Sequence, residues 1–249
     1  MSSVERFAQV PTVEVGTPED HWSGHTRFRH LDVHECPALV VVAPHPDDEV
    51  LGVGALASEL ADRAVPVTVV SVTDGEASHP GSPTLSPADL AVRRRAESDR
   101  AASRLGLAPP VRCGLPDGAV AAHEDELAER IRAHLAPGTW CAAPLRTDGH
   151  PDHEAAGRAA ARAAHEAGAV LLEYPIWLWH WAVPGDPAVP WDRARTFPLT
   201  RHRLQAKQSA VAEFATQITD LSDDPADRAI LPPHVLARLL RDHETVIVP

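Results

Sequence analysis

Between residues 38 and 174 the chain alternates short, unbroken apolar runs with longer Ala-, Arg- and Glu-rich stretches. The runs 38–42, 67–72, 111–115, 139–143 and 170–174 read as strands, and the stretches 50–63, 87–105, 124–135 and 153–167 between them read as helices. Strands buried on both faces appear as continuous apolar runs, and strand–helix–strand units lay their strands parallel. The pattern predicts an α/β fold: a Rossmann-like, doubly wound, mostly parallel sheet with helices on both faces. Gly106 and Gly168 stand where helix C-terminal caps are expected, and Pro137-Gly138 closes the third helix.

The flanks are less regular. Residues 1–34 are polar and aperiodic, which predicts an irregular lead-in to one α/β domain over 35–249. A Trp- and Pro-rich stretch follows at 175–190, then a helical segment at 201–214, a further helix at 234–242 and a short strand at 245–248. No internal repeat or linker divides the 249 residues, a length that suits one α/β domain.

Composition narrows the function classes. The hydrophobic fraction of 44% is enough for a sizeable core. The net charge of −12 argues against nucleic-acid or anionic-membrane partners, with Arg93, Arg94 and Arg95 as a local exception. Cys36, Cys113 and Cys141 are odd in number and form no CxxC pair, which fits a reducing compartment, and Cys113 and Cys141, in apolar strand-like runs, read as buried thiols. The first residues lack the basic and apolar regions of a secretory leader, and the longest apolar run, 38–44, is too short to span a bilayer. A cytoplasmic protein is expected.

Two motifs carry chemistry. Ala43-Pro44-His45-Pro46-Asp47-Asp48-Glu49 follows the first buried strand and opens a helix. In open α/β sheets, ligands bind beyond the carboxyl ends of the strands. Imidazole nitrogen and carboxylate oxygen are donors that zinc accepts. Acids in a first helical turn also complement the helix dipole, but that accounts for neither His45 nor the stiffening Pro46. The second motif, His150-Pro151-Asp152-His153, again lies between a strand and a helix, on the same sheet edge. One of its histidines would complete a three-ligand site with an open position for water, the form of a catalytic zinc.

These residues resemble the PIG-L family of zinc-dependent N-acetylglucosaminyl deacetylases, also called LmbE-like proteins. The resemblance rests on the segment 44–49, on Thr73-Asp74-Gly75-Glu76 and on His150-Pro151-Asp152-His153. Weaker support comes from Arg94, Glu97, Ala101, Leu105 and Gly106 at their spacing, and from Lys207, Ala210, Phe214 and Gln217. The resemblance implies zinc, or another divalent metal, held by His45, Asp48 and His153. It implies Asp47 as general base and His150 as oxyanion stabiliser or acid. Arg94 and Asp117 fall where members contact a polar substrate. Asp148 stands where some members have a tyrosine, so chemistry that needs the phenol is not expected.

The expected activity is removal of an N-acetyl group from an amino sugar or related glycoside, a small-molecule substrate. An amidase for another N-acyl or thiol-conjugate substrate and a non-catalytic metal- or sugar-binding protein are the alternatives. A charged His150 would stabilise the oxyanion, and Asp152 is placed either to pair with His150 and keep it charged or to cap the helix beginning near His153. Glu49 reads as a helix-start acid, and His79 as a solvated loop residue with lining of the site mouth as the alternative. Trp177, Trp179, Trp181 and Trp191 suit either sugar stacking or anchoring of core and loops. No GxGxxG or phosphate-loop pattern follows any strand, which disfavours nucleotide binding.

Overall fold

In the computed structural model, which describes residues 1–249, the amino terminus is structured where none was expected. Residues 1–34 contain α1 (Ser3–Ala8), α2 (Glu19–Trp22) and β1 (Arg29–His30). The reason is tertiary. Trp22 is buried edge-on against Trp179, and its indole N–H donates to the Trp179 carbonyl at 3.0 Å. Contacts of this kind leave no periodic trace in so short a segment.

The predicted alternation follows: β2 (Leu39–Ala43), α3 (Asp48–Asp62), β3 (Val67–Ser71), α4 (Pro87–Arg104), β4 (Val111–Arg112), α5 (Glu124–Arg132), β5 (Trp140–Pro144), α6 (Pro151–Ala167) and β6 (Val170–Tyr174). The strand expected over 111–115 stops after two residues. Gly114, at φ +65°, turns the chain out of extended geometry. The remainder comprises α7 (Leu178–Trp181), β7 (Ala194–Pro198), α8 (Arg201–Val211), α9 (Ala215–Ile218), α10 (Pro233–Leu239) and β8 (His243–Ile247). No helix is long and apolar enough to cross a membrane.

One eight-stranded sheet runs in the order β1-β7-β8-β6-β5-β2-β3-β4. All pairs are parallel except those of β8, which is antiparallel to both β6 and β7. Successive β2 residues face opposite cores: Val41 packs on the side of α3, while Val42 packs on the side of α5 and α6. Strand order reverses between β2 and β5, which pair directly, Val40 opposite Cys141. Both motifs therefore leave neighbouring strands at the topological switch point, where an open α/β sheet forms its crevice.

Helix α3 is broken at Val53, whose φ of −139° is not helical. A break of this kind strands backbone groups that need partners. Lys207 Nζ donates to the Leu51 carbonyl at 2.7 Å, and the Glu244 carboxylate accepts the N–H groups of Ala55 and Leu56, each at 2.8 Å. Lys207 and Glu244 also pair with each other at 2.8 Å, fully buried.

Candidate metal centre and active site

Three donor atoms meet at the switch point. His45 Nδ1 lies 3.3 Å from Asp48 Oδ2, His153 Nε2 lies 3.2 Å from the same oxygen, and the two ring nitrogens are 3.3 Å apart. A tetrahedral zinc with bonds of 2.0–2.1 Å to nitrogen and oxygen separates its donors by about 3.3 Å. The triangle therefore has the edge length of one face of such a site, and its donor set fits a divalent cation.

The other ring nitrogens are held from outside. His153 Nδ1 lies 2.8 Å from Asp148 Oδ2. His45 Nε2 lies 3.1 Å from Asp117 Oδ1 and 3.4 Å from Asp152 Oδ2. Carboxylates placed behind ligand histidines select the tautomer and orient the ring. Burial opposes charge on His45, but Asp117, Asp152 and Asp48 together hold its imidazole well above the ordinary range. Burial likewise opposes charge on His153, and Asp48 with Asp148 outweighs it, raising that ring to about 9. Against the same burial, His153 and His45 hold Asp48 below the usual carboxylate range.

Sequence reasoning missed Asp148. Its carboxylate is fully buried and accepts the backbone N–H groups of Ile176, Trp177 and Leu178 at 2.9, 2.9 and 3.0 Å in addition to facing His153. It joins the end of β6 to a candidate metal ligand. The only local signal was its place two residues before the second motif.

Asp47 stands beside the triangle in a strained conformation, with φ 137° and ψ −31°. For a residue with a Cβ this backbone costs energy and persists only where its surroundings enforce it. Arg94 Nη2 donates to Asp47 Oδ2 at 2.9 Å and to the Pro46 carbonyl at 2.8 Å, while Nη1 donates to the Gly75 carbonyl at 3.0 Å. Gly75 is itself at φ +69°, and a Cβ there would lie 1.9 Å from Arg94 Nη1. Glu49 Oε2 accepts the Asp47 N–H at 3.1 Å, so Glu49 does more than begin a helix. Burial pushes the Asp47 carboxyl up to about 8, with Arg94 opposing and Asp48 adding to the rise.

His150 faces the same space, its ring centroid 4.9 Å from His45 and 5.0 Å from His153. Of the two places weighed for Asp152, pairing with His150 is not the one the structure shows. His150 is itself the N-cap of α6, its Nδ1 accepting the Asp152 N–H at 3.2 Å. The Asp152 carboxylate turns away to the N–H groups of Gly118 and Val120, at 2.7 and 3.1 Å. Burial, followed by the charges of His45 and His153, pushes His150 down to about 3. With Nδ1 accepting the Asp152 N–H, the neutral form of the ring carries its proton on Nε2.

A cavity of about 390 Å³ opens on these groups. Arg94 and Asp117 line it as the sequence suggested. The Nη atoms of Arg94 are engaged by Asp47, Pro46 and Gly75 while its buried Nε has no partner, and Asp117 is engaged on His45 and on the Ala77 N–H at 2.8 Å. Gln217 reaches the wall from α9, which is held in place by the Glu97 carboxylate on the N–H of Thr216 at 2.9 Å. Of the tryptophans weighed for stacking, Trp177 lines the cavity; Trp179 and Trp191 pack with Trp22 instead. His79 is buried rather than a solvated loop residue.

Residues 40–164, half of the chain, match the family described as PIG-L, GlcNAc-PI de-N-acetylase. The chain belongs to the PIG-L family. The protein is 30% identical over 138 residues to diacetylchitobiose deacetylase of Thermococcus kodakarensis, a match that covers 52% of this chain and half the length of that relative. It is 28% identical over 207 residues to a probable N-acetyl-α-D-glucosaminyl L-malate deacetylase of Bacillus anthracis, covering 76% of this chain and 87% of that one. Among solved structures, the A40926 pseudoaglycone deacetylase superposes with a TM-score of 0.61 at 26% identity, covering 85% of this chain and 96% of the other. Every residue of the donor triangle and of its carboxylate surround lies inside the segment that matches PIG-L.

Proposed function

We propose that this PIG-L protein is a zinc-dependent amide hydrolase that removes an N-acetyl group from an amino sugar or a related glycoside. One observation carries this reading: a donor triangle with tetrahedral edge lengths adjoins a buried, Arg94-held carboxylate at a single cavity. The relatives named for diacetylchitobiose and N-acetylglucosaminyl malate support an N-acetylated sugar as substrate. The three cysteines, none in a disulfide, are in keeping with a reducing cytoplasm.

Held by His45, Asp48 and His153, zinc would polarise the amide carbonyl and make a water acidic enough to attack at neutral pH. Asp47 offers Oδ1 to that water, since Oδ2 is engaged by Arg94. In the ionised form, which the Arg94 pairing favours against burial, it takes a proton as the water attacks and returns it to the departing amine. His150 donates its Nε2 proton in a hydrogen bond to the developing oxyanion as a neutral ring, because Nδ1 is occupied as an acceptor; loss of such a donor costs about 100- to 1000-fold in rate. Arg94 acts by holding Asp47, and Asp117, Asp152 and Asp148 act by orienting the two histidines.

The test is acetate release by zinc-loaded protein from a panel of N-acetylglucosamine glycosides, with Asp47→Ala as control. Release matched by free amine, and abolished in the variant while zinc is retained, is expected. No release from any glycoside, or undiminished release by the variant, would overturn the reading.

A further inference from the structure

The amino-terminal segment 3–17 lies as a strap along one side of the cavity, although it falls outside the matched segment 40–164. It is fastened along its length. His180 Nε2 donates to the Val10 carbonyl at 3.1 Å and His234 Nε2 to the Thr12 carbonyl at 3.0 Å. Arg238 Nη1 donates to the carbonyls of Val15 and Thr17 at 2.8 and 2.7 Å, and Nη2 donates to His180 Nδ1 at 2.8 Å. Gly16, at φ +60°, lets the strap run so close that a Cβ would stand 2.5 Å from the His180 carbonyl. At the start of the strap, Arg6 pairs with Asp186 and lies 4.2 Å over the Trp181 ring.

This fastening sets Phe7 into the cavity wall, its ring 5.1 Å from Trp177 and 6.5 Å from His150. Ile176, Ile230 and Leu231 contribute further apolar surface to the same cavity. Phe7, Ile176, Trp177, Ile230 and Leu231 lie outside the matched segment, whereas the candidate metal donors lie inside it. Apolar side chains offer sugar hydroxyls no partner, and a hydroxyl desolvated there loses its bonds to water without replacement. An apolar group in the same place gains by leaving water.

We propose that the strap side of the cavity takes an apolar substituent, aryl or alkyl, carried by the N-acylated substrate, and that Phe7 is the residue that selects for it. The proposal deepens the amide-hydrolase reading and rests on it for the identity of the reacting bond. The substituent belongs either to the glycosidic side of the sugar or to the acyl side, and the same binding experiment separates the two.

Calorimetric affinities are measured for three ligands with the zinc-loaded Asp47→Ala protein, which does not consume them. The ligands are methyl N-acetylglucosaminide, phenyl N-acetylglucosaminide and methyl N-benzoylglucosaminide. One aryl ligand is expected to bind about tenfold more tightly than the methyl N-acetyl parent, the scale of one well-placed aromatic contact. Adding Phe7→Ala removes that advantage while the parent changes less than twofold, and Phe7→Leu restores part of it. Whichever aryl ligand gains identifies the glycosidic or the acyl side. No advantage for either aryl ligand overturns the proposal, as does an equal loss for all three in Phe7→Ala, which would mean that Phe7 contacts the sugar ring. Acetate release by the protein with Asp47 intact is scored separately. A binding pattern that survives without release would sink the hydrolase reading and leave the selection by Phe7 standing.

Discussion

The Arg94 guanidinium and the Asp47 carboxylate form a buried pair at 2.9 Å, 2% and 6% exposed, and the nitrogen that makes it also holds the Pro46 carbonyl. One side chain thus fixes both the carboxylate and the strained backbone that carries it. Arg94→Lys keeps the charge but cannot span Asp47, Pro46 and Gly75 with one ammonium group. It is expected to lower kcat at least about tenfold, since misplacing a reacting group by an ångström costs up to about 100-fold. Bound zinc should be unchanged. Metal analysis beside steady-state kinetics checks this, and wild-type kcat in Arg94→Lys would remove Arg94 from the positioning role.

Asp47 and the triangle separate cleanly by readout. Asp47→Asn should bind zinc normally and lose about 100- to 10,000-fold in kcat, the range for a general base. His45→Ala and His153→Ala should lose zinc itself. Full zinc occupancy in either histidine variant would show that the ligand set is wrong.

Asp148 links metal affinity to folding, because one carboxylate serves His153 and three backbone N–H groups. Asp148→Ala is expected to weaken zinc binding about 10- to 100-fold, as loss of a carboxylate behind a ligand histidine does. It should also lower the melting temperature of the metal-free protein, since buried N–H groups left without partners cost about 1–3 kcal/mol each. Asp148→Asn keeps the shape and an acceptor oxygen and should fall between. Zinc titration and thermal melts of both variants provide the check, and wild-type affinity in Asp148→Ala would contradict the assignment.

Zinc binding should depend steeply on pH. In the metal-free protein His153 is raised to about 9 by Asp48 and Asp148 against the opposing effect of burial. A ring raised from 6.5 stabilises the metal-free fold fully below pH 6.5, and that contribution fades as pH rises through about 9. A ligand imidazole must be neutral, so zinc competes with this proton and affinity should increase about tenfold per pH unit for each proton released. Zinc affinities measured between pH 6 and 8 test this. A flat profile would mean that the ring is already neutral.

The buried Lys207–Glu244 pair spans the break in α3. Lys207→Met leaves a buried carboxylate without its cation and frees the Leu51 carbonyl, an expected loss of about 3–5 kcal/mol. Lys207→Met with Glu244→Gln should recover part of it, because the amide oxygen still accepts a backbone N–H while the charge is gone. Denaturant melts of the single and double variants measure this; equal stability of Lys207→Met and wild type would deny the pair its role.

The parallel sheet and both motifs were legible because each is written locally. A five-residue apolar run, a proline-stiffened turn and a cluster of His and Asp at a strand end are short-range patterns, and their matching positions imply one sheet edge. The positions of Arg94 and Asp117 near the site were legible too, although not their partners. The partners of Asp152 were not legible: proximity in sequence left pairing with His150 or a helix cap open, while folding of the segment 117–120 brought backbone N–H groups to its carboxylate. The strap was invisible because its one helix is only six residues long and its fasteners, His180, His234 and Arg238, lie more than 160 residues away.

The amino-acid sequence by itself determined which residues are candidates for the chemistry and which strand ends present them, because donor type and hydrophobic period are properties of neighbouring residues. Tertiary structure alone decided the surroundings of His150, the partners of His45 and His153 and the apolar wall at Phe7. These depend on burial and on contacts between segments distant in the chain, and electrostatic and hydrophobic energies follow distance in space.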